Sequence, residues 1–199
     1  MATSLTMNDL SFYEPMRKNW FIVQFDSGLG GTNDGEALTI ACKTCDIPQL
    51  TTSENVIDRL NDKVYTPGKS EYNSISMSFY EYIKDSGDGS GNKNYKSAGE
   101  LLYAWQQQVH NAKSGVQGAK KNIAHNVAIV QIDGNGNAIR VWNVYKAWPT
   151  AVEFAGLDSG DGGLQDVTLT LRYDWAEQKD AEVNITNKTG GALNTATIG

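Results

Sequence analysis

The chain has few of the residues on which enzymes and disulfide-bonded folds depend. Its 199 residues include only 2 histidines, 2 cysteines and 4 prolines. It contains no phosphate-binding loop, no nucleophile elbow and no His-Glu-x-x-His motif. We therefore expect that the protein is not an enzyme and that it uses no cofactor.

Long apolar runs are also missing from the sequence. No stretch approaches the roughly 20 apolar residues that a membrane-spanning helix needs. The first residues lack the basic start and the apolar run of a signal peptide. From these patterns we expect synthesis and folding in the cytoplasm and no membrane partner.

Positively charged residues are fewer than negatively charged ones in this chain. There are 17 Lys and Arg residues against 23 Asp and Glu, which gives a net charge of -6 and an isoelectric point of about 4.9. Non-specific DNA binding depends on cationic side chains that neutralise phosphates, so this balance does not favour it. The acidity serves solubility, or it marks a surface to which DNA must not adhere.

The two cysteines, Cys42 and Cys45, form one Cys-x-x-Cys pair. A redox pair normally opens a helix after a strand, whereas this pair runs into Asp46 and a proline. A zinc site needs two more ligands, and only His110 and His125 are available, far away in sequence. Strand alternation predicts one buried and one exposed thiol. A thiol oxidoreductase stays open as an alternative.

Alternating apolar and polar residues predict β-strands along most of the chain, with glycine-rich turns between them. The predicted strands are residues 20–25, 37–43, 51–57, 74–80, 127–132, 139–145 and 167–173. We expect the first two strands to form a hairpin across the loop 28–35. Residues 85–96 are expected to be a flexible loop. The predicted organisation is an arm (1–16), a β domain (17–176) and a patternless tail (177–199).

A single helix is predicted over residues 98–113. Ser97 and Glu100 form a capping box at its start, and Leu102, Trp105 and Val109 follow at helical spacing. The order of elements predicts a mainly β fold, an antiparallel β-sandwich or small barrel with one flanking α-helix.

Four short segments occur in an order that is typical of one family. They are residues 17–25 (RKNWFIVQF), 41–48 (ACKTCDIP), 147–150 (AWPT) and 167–174 (VTLTLRYD). Over residues 10–176 the chain resembles the tail-tube proteins of contractile-tailed bacteriophages. The resemblance implies the tail-tube β fold and hexameric rings that stack into a hollow tube inside a contractile sheath.

The same resemblance implies partners and a location. The partners would be further copies of the chain, the sheath protein, and the baseplate and tail-terminator proteins, while DNA would pass through the lumen without specific binding. The tube would form in the host cytoplasm and belong to the tail of the virion. Tubes of type VI secretion systems and of bacteriocins are close alternatives. A glycan-binding β-sandwich is a more distant one, since five tryptophans and nine tyrosines are available.

The resemblance also implies positions for the assembly surfaces. One protruding segment matches the family's long loop by position and is predicted to make the inter-ring contact. Its residues are Ile57, Asp58, Arg59, Leu60, Asn61, Asp62, Lys63 and Val64. A small, uncharged strand face and a partner strand predict the lumen lining: Ser74, Ser76 and Ser78, with Thr51, Ser53 and Glu54. Cys42 or Cys45 is a candidate for an intersubunit disulfide once the particle leaves the reducing cytoplasm.

Overall fold

The structure, a computed structural model, describes residues 16–26, 29, 34–83 and 96–180. Almost all of the predicted arm (1–16) and of the predicted loop 85–96, and the segment 181–199, lie outside the described residues. In the part that is described, no helix has both the length and the apolar character needed to cross a membrane.

The described residues form nine strands and three helices. The strands are β1 (Phe21–Phe25), β2 (Cys42–Cys45), β3 (Leu50–Asp58), β4 (Lys63–Tyr72), β5 (Ile75–Tyr80), β6 (His125–Ile132), β7 (Ala138–Phe154), β8 (Asp166–Arg172) and β9 (Trp175–Asp180). The helices are α1 (Asp34–Ala41), α2 (Ala98–Val109) and α3 (Lys120–Ile123).

The long strand β7 joins two antiparallel sheets. Its first part pairs with β6 and β9, and β1 lies on the far side of β6; its second part pairs with β8, which is followed by β5 and β2. Two extra residues bend the strand between the sheets: Lys146, whose φ is 54°, and Thr150. The predicted mainly β, antiparallel fold is confirmed.

The core lies between the inner faces of these two sheets. On β5 the buried residues Ile75, Met77 and Phe79 alternate with half-buried polar ones, as the sequence predicts. β8 follows the same pattern with buried aliphatic residues opposite them. Trp105 on α2 is 1% exposed and closes one side of the core, where its ring meets that of Phe25 edge-on.

The segment predicted as a returning strand is mostly helix α1, so the hairpin predicted from the first two strands is wrong. β1 pairs with β6, and β2 pairs with β5. The physical reason is the spacing of the buried residues. Leu38 and Ala41 are buried three positions apart while Ile40 is 70% exposed, which is a helical pattern and not an alternating one.

The end of the described chain also differs from prediction. Residues after Trp175 were predicted to lack β structure, whereas β9 extends to Asp180 and pairs with β7. β9 is an edge strand whose side chains are half-buried or exposed where described, so it carries little apolar alternation. The stacking of Trp175 on Tyr145, with ring centroids 3.9 Å apart, holds its start.

Helix α2 begins where the sequence predicts and ends earlier. The Ser97 hydroxyl accepts a hydrogen bond of 3.2 Å from the Glu100 amide, which confirms the N-cap. The helix stops at Val109 because His110 is extended and pairs with Gln117 in an isolated bridge. The short helices α1 and α3 were not predicted, so the predicted single helix is one of three among the described residues.

Candidate functional site

The β3–β4 hairpin projects from the sandwich as a separate two-stranded sheet. Every residue of β3 is exposed, and its ladder partners all lie on β4. At about 3.3 Å per residue, strands of this length reach about 30 Å. The few apolar side chains of these strands do not alternate along one continuous face, which explains why the strands do not join the core.

The base of the hairpin is fixed to the body. The Tyr72 ring lies 5.4 Å from that of Tyr173, and the Tyr72 hydroxyl donates to the carbonyl of Ala176 over 3.3 Å. An ion pair joins Arg172 of β8 to Glu71 of β4. These contacts set the direction in which the hairpin leaves the sandwich.

The predicted inter-ring residues come together at the far end of this projection. The Arg59 amide donates to the Asp62 carbonyl over 2.7 Å, which closes the tip. Lys63 and Asp58 form an exposed ion pair of 3.8 Å, and such a pair contributes little to stability. Leu60 is fully exposed at 103%, and Ile57 is half exposed. The structure thus offers these residues to a partner, and their role in a ring contact stays a prediction.

A second candidate surface is the outer face of the β2–β5–β8–β7 sheet. Ser76 and Ser78 point away from the buried residues of β5, and their cross-strand partners on β8 are Thr170 and Thr168. On β2, Thr44 lies opposite Ser78. Small hydroxyl side chains therefore continue across three strands. The threonines were not predicted as part of this surface, although the alternation in residues 167–173 indicates that they lie on the face opposite the apolar residues.

The predicted partner strand of this face is wrong. β3, which carries Thr51, Ser53 and Glu54, pairs with β4, and the partners of β5 are β8 and β2. Ser74 precedes β5 in the turn after the hairpin and is exposed. Five of the six predicted lumen residues therefore occupy two different sheets, and Ser74 lies between them. The reason is that a local alternation pattern says which way side chains point but not which strand lies alongside.

Ion pairs border the hydroxyl face. Lys43 of β2 pairs with Asp166 of β8, and this hydrogen bond is the main cause of the raised pKa of Lys43. Arg172 pairs with Glu71 at the other end of β8. The cations bordering this face are thus neutralised by neighbouring carboxylates.

The two thiols differ from the prediction of one buried and one exposed. Lys43 is an extra residue in β2, so Cys42 lies opposite Phe79 and Cys45 opposite Met77, on the same inward face. Both thiols are free and half-buried. Burial raises the pKa of Cys42 to about 12 and also raises that of Cys45. Such thiols are weak nucleophiles at neutral pH, which disfavours the oxidoreductase alternative.

Within the described ranges, no three His, Cys, Asp or Glu side chains stand close enough together to bind a metal ion. His125 packs against Trp105, and burial lowers its pKa. The neutral ring is therefore explained by the packing around the core, and the arrangement does not assign it a chemical role.

Comparison with known sequences gives no assignment: no family model matches the chain, and no curated protein does.

Solved structures, by contrast, share the fold. A chain of the anti-feeding prophage cap, a tube-terminating cap, aligns with a TM-score of 0.62 at 16% identity over 90% of this chain and 100% of that one. A chain of the six-fold-symmetrised anti-feeding prophage baseplate gives 0.61 at 14% identity, covering 86% and 100%. A chain of the PVC sheath–tube complex, an extracellular contractile injection system, gives 0.58 at 16%, covering 89% and 100%. The chain therefore has the fold of these contractile-injection components, as the tail-tube resemblance implied.

Proposed function

We propose that this chain is a structural subunit that stacks head to tail into the tube of a phage-like contractile injection system. The observation that carries the proposal is the projecting hairpin on this fold. An isolated two-stranded hairpin is at best marginally stable in water, so the 9 residues of β3 and the 10 of β4, most of them exposed, need a surface to pack on. In a polymer the next copy supplies that surface.

The exposed apolar side chains of the hairpin support the same conclusion. They are Leu50, Val56, Ile57, Leu60, Val64 and Tyr65. Apolar side chains in one exposed element indicate an interaction site. In a head-to-tail stack each subunit packs its hairpin on the next copy and binds the hairpin of the copy before it. The same contact therefore repeats along the polymer without limit.

We propose further that six copies form each ring and that the hydroxyl face lines its lumen. Closing a ring pairs the exposed sheet edges of neighbouring subunits, which removes an aggregation hazard. The anti-feeding prophage baseplate, one of whose chains shares this fold, is six-fold symmetrised, which supports six copies. Ser76, Ser78, Thr168 and Thr170 would give a wall without unpaired cations, along which DNA slides without sticking. Thr51, Ser53 and Glu54 would face the lumen from the base of the hairpin.

The proposed partners follow from the same placement. They are a sheath around the tube, a baseplate below it and a terminator above it; the similar chains come from a sheath–tube complex, a baseplate and a tube-terminating cap. The proposed location is the tail of a virion or of a related particle, assembled in the cytoplasm. A phage tube, a bacteriocin tube and a secretion tube would all share this geometry.

The test is electron microscopy of the purified full chain, concentrated with and without a baseplate seed. Hollow rods or stacked rings with a central channel are expected. A Leu60→Asp variant serves as the matched control, because it places a charge on the tip without touching the core. Compact monomers under every condition, together with retention on a glycan array, would replace the proposal with a glycan-binding sandwich.

A further inference from the structure

The hairpin and the β7–β8 loop leave opposite ends of the same sheet. β5 starts at Ile75, next to the hairpin base, and ends at Tyr80, which lies opposite Asp166 at the start of β8. β7 ends at Phe154, opposite Val167. The loop 155–165 therefore emerges at the end of the sheet that is farthest from the hairpin.

This loop is held in shape and exposes large apolar side chains. Its stem is closed by hydrogen bonds of 3.0 Å from the Ala155 amide to the Asp166 carbonyl and from the Glu81 amide to the Gln165 carbonyl. Within it Leu157 is 86% exposed and Leu164 is 80% exposed. Ile83, which follows β5 at the same end, is 99% exposed. Such side chains at the outer end of a sheet need a partner surface.

The loop is also acidic, whereas the hairpin tip carries an unpaired cation. From residue 147 to residue 171 the sequence contains no Lys or Arg. The Asp158 and Asp161 carboxylates accept hydrogen bonds of 2.9 Å from loop amides, and among the described residues neither pairs with a cation. At the tip, Lys63 pairs with Asp58, while the Arg59 guanidinium forms no ion pair within the described part of the chain.

We propose that the loop 155–165, with Ile83 beside it, is the receptor for the hairpin tip of the next copy. Leu60 packs against Leu157 and Leu164, and the Arg59 guanidinium binds the carboxylates of Asp158 and Asp161. The proposal rests on the proposed stacking function and names the surface that the hairpin contacts. The opposite placement of the two surfaces on one sheet is what a head-to-tail contact requires.

Disulfide trapping between two full-length variants tests the contact. Leu60→Cys and Leu157→Cys proteins are mixed, concentrated and oxidised, and the cross-linked peptides are identified by mass spectrometry. A Leu60→Cys with Val116→Cys mixture is the control, because Val116 is 63% exposed but lies in the connector after α2. We expect a yield about tenfold higher for the first pair, and equal yields would overturn the proposal.

Charge exchange gives an independent measurement that leaves the Asp158 and Asp161 carboxylates in place. Arg59→Glu repels the acidic loop, and Ser159→Arg repels the native tip, so each should lower the pelletable polymer about tenfold. The double variant should return to within about twofold of the native chain. Failure of that restoration, with native polymer intact, overturns the receptor but not the stacking function. A native chain that forms no polymer, together with cysteine variants that give no cross-link, overturns both.

Discussion

Two tryptophans show how differently the same side chain is accommodated in this fold. The Trp105 indole is buried and donates a 2.7 Å hydrogen bond to the Ile123 carbonyl. The Trp142 indole nitrogen is buried without an acceptor among the described residues. Removing a paired donor leaves a carbonyl unsatisfied, whereas removing an unpaired one relieves a desolvation cost.

We therefore predict unequal effects for two identical substitutions. Trp105→Phe should lower the free energy of unfolding by about 2–3 kcal/mol, from the lost hydrogen bond and the smaller ring. Trp142→Phe should change it by less than about 1 kcal/mol. Urea denaturation followed by circular dichroism measures both. Equal losses would show that ring volume alone determines the cost.

The thiols give a second prediction at this scale. Because burial raises the pKa of Cys42 to about 12 and raises that of Cys45, the reactive thiolate is scarce at pH 8. Alkylation of the folded chain at pH 8 should be much slower than in denaturant, and should accelerate as the pH rises. The intersubunit disulfide stays a prediction. Intact particles that show the same monomer band on reducing and non-reducing gels would exclude it.

At the scale of elements, the hairpin depends on one glycine. Gly68 and Lys69 of β4 lie opposite the single residue Ser53 of β3, so β4 carries a bulge. A Cβ at Gly68 would lie 2.5 Å from the Ser53 hydroxyl oxygen and 3.0 Å from its carbonyl oxygen. The absence of a side chain allows the two strands to approach there.

Gly68→Ala should consequently affect assembly more than folding. The free energy of unfolding should change by less than about 0.5 kcal/mol, since the hairpin lies outside the core. Formation of rods, observed by electron microscopy, should fall sharply because the tip is redirected. Lys69→Ala is the control, since it changes the same bulge without adding a Cβ. Normal rods from Gly68→Ala would show that the tip tolerates a shifted register.

The elements that sequence predicted well are those with a complete local signal. β5 has strict alternation, and α2 has both a capping residue and an apolar stripe. α1 was missed because its short apolar stretch fits either period, and β9 because an edge strand carries little alternation. Strand partners depend on contacts distant in sequence, so β3 was wrongly placed beside β5.

At the scale of the whole molecule, the sequence predicted those parts of the candidate site that have a local signal and missed those that depend on distant contacts. The tip residues 57–64 were found because a charged turn between polar strands indicates a projection. The outward direction of Ser76 and Ser78 followed from alternation. The threonines of β8 became part of the surface only once the β5–β8 register was known. The loop 155–165 is proposed as a partner surface from its position at the opposite end of the sheet, which the sequence alone does not give.

The lumen assignment leads to the last prediction. Ser78 and Thr168 lie opposite each other on the hydroxyl face, in a chain of net charge -6. If this face lines a channel, the double variant Ser78→Lys with Thr168→Lys adds positive charge to the wall of the lumen, away from the contacts between subunits. Rods should still form, and they should now retain short duplex DNA at about 50 mM salt and release it at about 200 mM.

The matched control adds the same charge elsewhere. The control is the double variant Gln108→Lys with Val116→Lys. Gln108 lies on α2 and Val116 on the connector after it, and both positions are exposed and outside the hydroxyl face. DNA added during assembly and trapped in washed, pelleted rods reports on the lumen, whereas DNA bound outside is removed by nuclease. Loss of rods in the hydroxyl-face variant alone would place that face in a subunit contact. A cation in a narrow channel should hold a duplex far longer than a cation on an open surface. Equal protection of DNA by both variants would therefore show that DNA retention does not depend on the hydroxyl face.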